Sequence, residues 1–155
     1  MTKEQLMQRA IDLAVANVAN GGGPFGAVIA RNGEIVAEGV NRVTSQHDPT
    51  AHAEVQAIRK ACQKLQTFDL EGCDIYSSCE PCPMCLGAIY WAHLDRIYFA
   101  CTKKDAADAG FDDDFIYQEL DLKPADRRLN TTEMMRDEAM GIFDSWRKKT
   151  DKVEY

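Results

Sequence analysis

The sequence predicts an α/β fold with a mixed sheet. From about residue 48 to residue 101, segments with helical spacing of apolar side chains alternate with short apolar runs of strand length. This alternation implies crossover connections and strands that are covered on both faces. Ahead of this region, Asn32-Gly33 separates two short apolar runs, and Asn-Gly is a strong hairpin signal because both residues tolerate positive φ. An antiparallel pair is therefore expected in the same sheet.

The N-terminal segment, residues 4–19, is predicted to be a helix that buries one face. Its apolar side chains recur at helical spacing: Leu6, Ala10, Leu13, Ala14 and Val18. The sequence Gly21-Gly22-Gly23-Pro24 ends this helix and frees the backbone to turn. The two strands of the hairpin are then expected over Phe25–Ala30 and Glu34–Val40.

Two further helices and two further strands are predicted after the hairpin. Asp48-Pro49-Thr50 opens the second helix, and either Asp48 or Thr50 is expected to cap it. The buried stripe of this helix comprises Val55, Ile58, Cys62 and Leu65. The elements that follow are a strand over Cys73–Ser78, a helix from Pro81 to about Ala92, and a strand over Arg96–Cys101.

The C-terminal part of the chain is acidic and less regular, and it contains the run Asp112-Asp113-Asp114. A helix over about Arg136–Lys149 is predicted by apolar side chains at helical spacing: Met140, Phe143 and Trp146. The preceding Thr131–Met135 could extend that helix or form an edge strand. No repeat and no long linker divides the sequence, so a single domain over residues 1–155 is expected.

The composition favours a globular protein that acts on a small molecule. Hydrophobic residues make up 45% and charged residues 28% of the 155-residue chain. No stretch resembles a transmembrane span, and the polar N-terminus lacks the apolar core of a signal peptide, so we expect a cytoplasmic protein without a membrane partner. The formal net charge of -7 and the shortness of every basic cluster argue against a nucleic-acid partner and for a small, uncharged substrate.

The distribution of the six cysteines indicates metal binding rather than disulfides. Cys79, Cys82 and Cys85 lie close together in a chain that is long enough to build a core without cross-links. The others lie in apolar surroundings and are expected to be small core residues: Cys62, Cys73 and Cys101.

Two short stretches hold the parts of a zinc site. His52 supplies an imidazole at one helix start, and Cys82 and Cys85 supply two sulfurs at another, where the helix dipole favours thiolate. Three protein ligands leave the fourth position of a tetrahedral zinc open for water, which is typical of a catalytic site. Glu54, two residues from the histidine, is placed to move protons between that water and a substrate.

A structural zinc module that binds a partner is the alternative from another class of protein. Such a module would need a fourth protein ligand, which Cys79 or Glu54 would have to supply. Cys79 is predicted to lie at the end of a strand rather than on the helix that carries Cys82, which argues against this role. His47 and His93 have no metal-binding neighbours in the sequence and are expected to be surface or structural residues.

The order H-x-E, followed about 30 residues later by P-C-x-x-C, resembles the motif of the zinc nucleobase deaminases. Beyond this motif, the chain resembles the bacterial guanine deaminases of the cytidine-deaminase-like superfamily over most of its length. The similar segments are residues 22–29, 48–55, 78–92 and 105–113 and the terminal Glu154-Tyr155. Residues 121–150 resemble that family least.

The resemblance implies a fold and a set of catalytic groups. The fold is a three-layer α/β/α cytidine-deaminase-like architecture with a central mixed sheet of about five strands. The implied cofactor is Zn²⁺, and its ligands would be His52, Cys82 and Cys85. Glu54 would shuttle protons, and Asp113 would contact the substrate and take part in a second proton transfer.

The resemblance also implies contacts with a purine base. Asn41 and the backbone N–H of Ala53 would hydrogen-bond the edge of the base, while Phe25 and Trp91 would pack against its faces. Tyr155 would close the pocket of the partner subunit in a homodimer. The C-terminal segment, about residues 120–155, is the candidate for exchange between the two subunits.

The reaction implied in this way is hydrolytic deamination of guanine to xanthine and ammonia. Hydroxide generated at the zinc would attack C2 while Glu54 protonates a ring nitrogen, and Glu54, with Asp113, would then protonate the departing amine. Other substrates of the same zinc chemistry are the alternatives: guanosine, cytosine and adenosine in tRNA. The net charge of -7 argues against tRNA.

Overall fold

A computed structural model describes the whole chain, residues 1–155. The chain divides into two compact units, Met1–Asp114 and Phe115–Tyr155, which we call the N-terminal unit and the C-terminal unit. The N-terminal unit contains the sheet and every residue that is buried. None of the helices in either unit has the length and apolar character that crossing a lipid bilayer requires.

The sheet of the N-terminal unit is mixed, as predicted. Its four strands are β1 (Gly26–Arg31), β2 (Glu34–Val40), β3 (Asp74–Cys79) and β4 (Arg96–Cys101). They lie in the order β2-β1-β3-β4, with β1 antiparallel to both of its neighbours and β3 parallel to β4. A helical crossover joins the parallel strands β3 and β4, and a hairpin joins the antiparallel strands β1 and β2. This arrangement confirms the α/β prediction.

The hairpin turn has the geometry that its sequence predicts. Asn32 and Gly33 both adopt positive φ, at 52° and 79°, between β1 and β2. Two successive residues with positive φ give the turn a twist that matches the right-handed twist of the two strands. The antiparallel pair is therefore confirmed.

Four helices belong to the N-terminal unit: α1 (Lys3–Ala19), α2 (Ala53–Leu65), α3 (Pro83–Trp91) and α4 (Lys103–Asp108). Thr2 and Thr102 cap α1 and α4, and each accepts a hydrogen bond from a backbone N–H of the first turn. The prediction that Asp48 or Thr50 caps the second helix is wrong, because α2 begins only at Ala53 with His52 at its N-cap. Asp48 instead closes a turn, since its Oδ1 accepts hydrogen bonds from the backbone N–H and the hydroxyl of Thr50.

The helices cover both faces of the sheet, which gives the predicted three layers. Along β1, Ala27 and Ile29 face the core that α2 and α3 cover, whereas Val28 and Ala30 face the core that α1 covers. Because successive side chains of a strand point to opposite faces, a strand buried on both sides reads as one continuous apolar run.

Glycines in β1 and β2 allow the helices to approach the sheet closely. A Cβ atom at Gly39 of β2 would lie 2.1 Å from the carbonyl oxygen of Ala53 and 2.6 Å from the backbone nitrogen of Ala57, both in α2. A Cβ at Gly26 would lie 2.3 Å from the carbonyl oxygen of Ala10 in α1. The backbone of α2 therefore rests directly on β2, and this contact fixes the position of the first turn of α2.

The C-terminal unit contains short helices and no strand. These are α5 (Asp114–Leu120, which starts at the unit boundary), α6 (Arg136–Ala139) and α7 (Gly141–Lys148), with a 3₁₀ turn at Pro124–Asp126. The single helix predicted over about Arg136–Lys149 is thus divided at Met140. The segment Thr131–Met135 is neither helix nor strand, so it does not supply a fifth strand.

Two of the three cysteines expected in the core are at least partly buried. Cys73 is fully buried and Cys62 is half-buried among the side chains between α2 and the sheet. The prediction is wrong for Cys101, which is exposed at the end of the edge strand β4. An apolar neighbourhood in the sequence does not reveal that one face of an edge strand lacks a covering layer.

Substitution of Gly39 by alanine should destabilise the fold. The added methyl group would overlap the backbone of α2, so we expect a loss of about 2–3 kcal/mol in the free energy of unfolding. The control is Gly87→Ala in α3, where an added Cβ meets no atom within 4 Å. That change should be neutral or should stabilise the protein by up to about 1 kcal/mol, because alanine is the better helix former. Thermal and urea unfolding would measure both values, and equal stability of the two variants would contradict the close contact.

Candidate zinc and substrate site

The structure brings the three predicted zinc ligands together from two helix N-termini. His52 is the N-cap of α2, Cys82 is the N-cap of α3, and Cys85 lies in the first turn of α3. Nδ1 of His52 lies 3.5 Å from Sγ of Cys82 and 3.5 Å from Sγ of Cys85. All three ligand atoms lie within 4.8 Å of one another.

The separation of the ligand atoms fits a tetrahedral zinc ion. With Zn–S bonds of about 2.3 Å and Zn–N bonds of about 2.0–2.1 Å, tetrahedral angles place nitrogen and sulfur about 3.6 Å apart. The two observed nitrogen–sulfur distances are 3.5 Å. One imidazole and two sulfurs are also a donor set that zinc prefers. The site therefore meets both the geometric and the chemical requirements for this metal.

The two ligand sulfurs differ in acidity, and only Cys82 is poised to carry negative charge in the empty site. Hydrogen bonds from Cys85 and His52 lower the pKa of Cys82 well below that of an ordinary thiol. The hydrogen bond between Cys82 and Cys85, together with burial, raises the pKa of Cys85. Two thiolates this close repel each other, and a divalent cation between them would remove that repulsion.

Cys79 is not part of the ligand group. It lies at the end of β3, where its thiol donates a 3.6 Å hydrogen bond to the carbonyl oxygen of Thr102. Burial raises the pKa of Cys79 to about 11, so it remains a neutral thiol at neutral pH. No fourth His, Cys, Asp or Glu side chain joins the cluster. This arrangement disfavours the structural module, because such a module would need four protein ligands.

Glu54 lies in the wall of the site, and its carboxyl group is held in place by the sheet. The residue is 6% exposed, and its Oε1 accepts a 3.0 Å hydrogen bond from the hydroxyl of Ser77 in β3. Burial raises the pKa of this carboxyl group above its ordinary value. A carboxyl group in such surroundings exchanges a proton nearer to neutral pH than one in water, as a proton carrier requires.

A cavity of about 580 Å³ opens beside the ligands, which is ample for a purine base. His52, Glu54 and Cys82 form part of its wall. The predicted substrate contacts that also line it are Phe25, Asn41 and Asp113. Desolvation in the cavity wall raises the pKa of Asp113, in the direction that a second proton carrier requires.

Asn41 offers its amide to the cavity. Its Oδ1 accepts a hydrogen bond from the backbone N–H of Val43, so the NH₂ group is the part of the amide left for a ligand. Ala53 lies between His52 and Glu54 as the first residue of α2. The backbone N–H of a first helical residue has no acceptor within its own helix, so it can donate to a bound molecule.

Phe25 is held edge to face by an aromatic side chain that the sequence did not single out. The ring centroids of Phe25 and Phe111 are 5.0 Å apart with an interplanar angle of 85°, and both rings line the cavity. Phe111 follows Gly110, whose positive φ of 98° ends α4 and turns the chain toward the site. The turn signal was present in the sequence, but it does not show which cavity the turn faces.

Further residues to which the sequence did not assign a place in the site also line the cavity, among them Gly21, Gly22, Gly23, Thr44, Glu80, Lys103 and Asp112. Among them, Oε1 of Glu80 accepts a 3.1 Å hydrogen bond from the backbone N–H of Lys103, which ties the end of β3 to the start of α4. By itself, the glycine run predicts the end of a helix and a turn. Nothing in its spacing indicates that this turn lines the cavity.

Within the N-terminal unit, the side chains of two predicted substrate residues, Ala53 and Trp91, are not part of the cavity lining. Trp91, the last residue of α3, is 65% exposed and does not line the cavity. Tyr155 belongs to the C-terminal unit and is 75% exposed. The packing of Trp91 against the purine and the closing of the partner subunit's pocket by Tyr155 stay predictions.

Removal of a ligand sulfur should abolish zinc binding. We expect Cys82→Ala and Cys85→Ala to be purified with little zinc, because two remaining ligands hold the ion poorly. Cys79→Ala is the matched control and should keep about one zinc per chain, as the unaltered site would. Metal analysis of the dialysed proteins measures the ratio. Loss of zinc in the Cys79 variant would mean that the ligand set is misassigned.

The comparison with known proteins agrees with this geometry. A family model described as the cytidine and deoxycytidylate deaminase zinc-binding region matches residues 1–101. Guanine deaminase of Bacillus subtilis is 51% identical over 156 aligned residues, which cover 100% of both chains. An X-ray structure of guanine deaminase from that organism superposes with a TM-score of 0.97 at 51% identity, covering 100% of this chain and 99% of the other.

More distant relatives are similar to this chain over about two thirds to three quarters of its length. A tRNA-specific adenosine deaminase of Aquifex aeolicus is 39% identical over 104 residues, which are 67% of this chain and 69% of that protein. A solved guanine deaminase from Nitrosomonas europaea gives a TM-score of 0.69 at 35% identity, covering 72% of this chain and 65% of the other. With its zinc-binding region matched over residues 1–101 and a relative similar over its full length, this chain belongs to the cytidine and deoxycytidylate deaminase zinc-binding family.

Proposed function

We propose that this protein is a zinc-dependent guanine deaminase that converts guanine and water to xanthine and ammonia. The observation that carries the proposal is similarity to a guanine deaminase over the entire chain, including the residues after position 101 that lie outside the deaminase family model. The cavity supports it, because a purine-sized space lies directly beside the ligand cluster and a buried carboxyl group.

Three side chains of this protein would hold the metal: His52, Cys82 and Cys85. When bound, zinc would lower the pKa of a coordinated water from about 15.7 to about 7 and so supply hydroxide at neutral pH. The sulfurs and the imidazole leave one side of the cluster without a protein ligand. The adjoining cavity gives a substrate access to that side.

Glu54 is the group that we assign to proton transfer. Burial keeps its carboxyl group away from bulk water, and the hydrogen bond from Ser77 fixes one of its oxygens. It would accept a proton from the attacking water and return it to a ring nitrogen of guanine. A second transfer, to the departing amine, would go through Glu54 with help from Asp113, whose pKa burial raises.

The base itself would be held at its edge and its face. The amide NH₂ of Asn41 and the backbone N–H of Ala53 are donors, so they suit the acceptor atoms on the edge of a purine. Phe25 offers an aromatic face whose orientation is fixed by Phe111. Together these groups would hold C2 of the ring beside the ligand cluster, and such positioning contributes much of an enzyme's rate.

The alternative substrate within the family is adenosine in tRNA. The formal net charge of -7 opposes it, because binding a polyanion requires a basic surface. Full-length similarity to a guanine deaminase, against partial coverage of the tRNA-specific relative, points the same way.

Guanine should release ammonia faster than any other compound in a panel of guanine, guanosine, adenine, cytosine and tRNA. The expected product is xanthine, which chromatography identifies. The control is Glu54→Gln, which keeps the shape of the side chain but cannot carry the proton; it should retain zinc and lose about 10²–10⁴-fold in kcat. Turnover of another member of the panel with guanine inert would overturn the substrate assignment, and normal turnover by the glutamine variant would remove Glu54 from the mechanism.

We also propose that the enzyme is a homodimer whose C-terminal segments, about residues 120–155, are exchanged. No residue of the C-terminal unit is buried. Its exposed apolar side chains include Leu129, Met134, Ile142, Phe143 and Val153. A monomeric soluble protein rarely leaves so many large apolar groups in water, so a second copy of the chain is the partner that we expect to cover them.

Co-expression of two defective chains tests the exchange. Glu54→Gln removes the proton carrier but leaves the C-terminal tyrosine, and Tyr155→Ala removes the tyrosine but leaves Glu54. In an exchanged mixed dimer, one cavity receives both groups, so activity should recover well above that of either variant alone. Without exchange, no cavity contains both groups, and the mixture should be no more active than its parts. Light scattering after size-exclusion chromatography would establish whether the mixed species is a dimer.

The cytoplasm is the compartment that we propose. All six cysteines are free thiols in the structure. Thiolate ligands and unpaired thiols persist most readily where the surroundings are reducing.

A further inference from the structure

Asn17 is a buried polar residue on the otherwise apolar face of α1, and nothing assigned so far explains it. It is 3% exposed, and its side-chain NH₂ donates two hydrogen bonds to backbone carbonyl oxygens. One acceptor is the carbonyl of Gly23, at 2.8 Å, and the other is the carbonyl of Asn41, at 2.9 Å. Both protons of the amide are therefore used, and both partners are groups that can only accept.

The contact between Asn17 and the glycine turn is also tight. The carbonyl oxygen of Asn17 accepts a 2.8 Å hydrogen bond from the backbone N–H of Gly22. A Cβ atom at Gly22 would lie 2.4 Å from Nδ2 of Asn17, and a Cβ at Gly23 would lie 3.0 Å from Cγ of Asn41. The turn, the amide of Asn17 and the side chain of Asn41 therefore fit together only because residues 22 and 23 lack side chains.

These contacts join two parts of the cavity wall that are distant in sequence. Gly21, Gly22, Gly23 and Asn41 all line the cavity, whereas Asn17 does not. Asn17 thus lies behind the wall and holds the end of β2 against the turn that follows α1. Loss of its two donated bonds would leave the buried carbonyl of Asn41 without this donor, and the carbonyl of Gly23 with only the 2.9 Å hydrogen bond from the backbone N–H of Phe25. An unsatisfied buried carbonyl is costly, so we expect the wall to shift at Asn41.

We propose that Asn17 is a positioning residue that fixes the amide of Asn41 and the glycine turn for recognition of the edge of the purine. This inference rests on the proposed function, because it assigns Asn41 to the base. Asn17 makes no contact with the substrate. It acts by holding the backbone from which the Asn41 side chain extends.

The first test is Asn17→Asp, which keeps the size of the side chain but replaces the donor with an acceptor. In zinc-loaded protein we expect KM for guanine to rise about tenfold or more, with a much smaller fall in kcat, since the contact is made in ground state and transition state alike. Binding of the analogue 8-azaguanine, measured by calorimetry, should weaken by a similar factor. Zinc content should not change.

A double-mutant cycle separates positioning from general destabilisation. If Asn17 acts through Asn41, then adding Asn17→Asp to Asn41→Ala should change KM by less than about threefold, because the side chain being positioned is already absent. Leu6→Ala, at the other end of α1, is the control for stability. It should lower the melting temperature by removing a buried leucine while leaving KM near the wild-type value.

Gly22→Ala provides an independent route to the same effect, in case the Asn17 variant does not fold. Its methyl group would displace the amide of Asn17 without altering that residue, so KM should again rise about tenfold. A crystal structure of either variant should show the Asn41 side chain displaced.

The inference is overturned if KM and 8-azaguanine binding stay within twofold of wild type. It is also overturned if the effects of Asn17→Asp and Asn41→Ala on KM simply multiply in the double variant, or if the Asn41 side chain keeps its position in the variant crystal structure. Wild-type protein that leaves guanine unchanged would contradict the proposed function instead. The displacement of Asn41 in the variant crystal structure would still decide the inference, because that measurement needs no substrate.

Discussion

The close seating of α2 on β2 is the constraint on which the candidate site depends. His52 and Glu54 lie at the start of α2, so an ångström of movement in that helix moves a predicted metal ligand and the carboxyl group that we assign to proton transfer together. Backbone atoms make this contact between α2 and β2, because Gly39 lets the carbonyl oxygen of Ala53 approach β2 more closely than any side chain would permit. Side chains can repack around a mutation, whereas a backbone contact of this kind cannot. The other two ligands, Cys82 and Cys85, lie just after the end of β3. The same sheet therefore fixes the positions of His52 and of the two cysteines relative to each other.

Buried polar groups hold the parts of the cavity that packing alone would leave loose. Ser77 fixes the carboxyl group of Glu54 from the sheet, and Asn17 ties the glycine turn to the end of β2 from behind the wall. No buried side-chain nitrogen or oxygen in the structure lacks a hydrogen-bond partner. A satisfied polar network in an apolar interior is rigid, because each group that moves loses a bond it cannot replace from water. Rigid walls suit an enzyme that must hold a flat base at a fixed distance from its reacting water.

Local signals predicted most of the fold and the ligand set, whereas tertiary placement escaped them. Asn32-Gly33, the apolar runs and the C-x-x-C spacing each act within a few residues, and all of them appear in the structure as expected. The cap of α2 was mistaken because Asp48 satisfies its bonding within its own turn. The contact of Phe111 with Phe25, and the role of Asn17, depend on residues that are far apart in the chain. Spacing along a sequence does not encode which turn faces which cavity, so these contacts become visible only in the folded chain.

The unequal acidities of the two ligand sulfurs affect how the site is loaded. The hydrogen bond between the two sulfurs lowers the pKa of Cys82 and, together with burial, raises the pKa of Cys85, so the empty pair retains a proton. Capture of the ion must therefore expel that proton into the solvent. The occupied and empty forms of the protein consequently differ in their hydrogen-ion content. Acidification therefore favours the empty form, and the protein holds its metal less tightly as the pH of the medium falls.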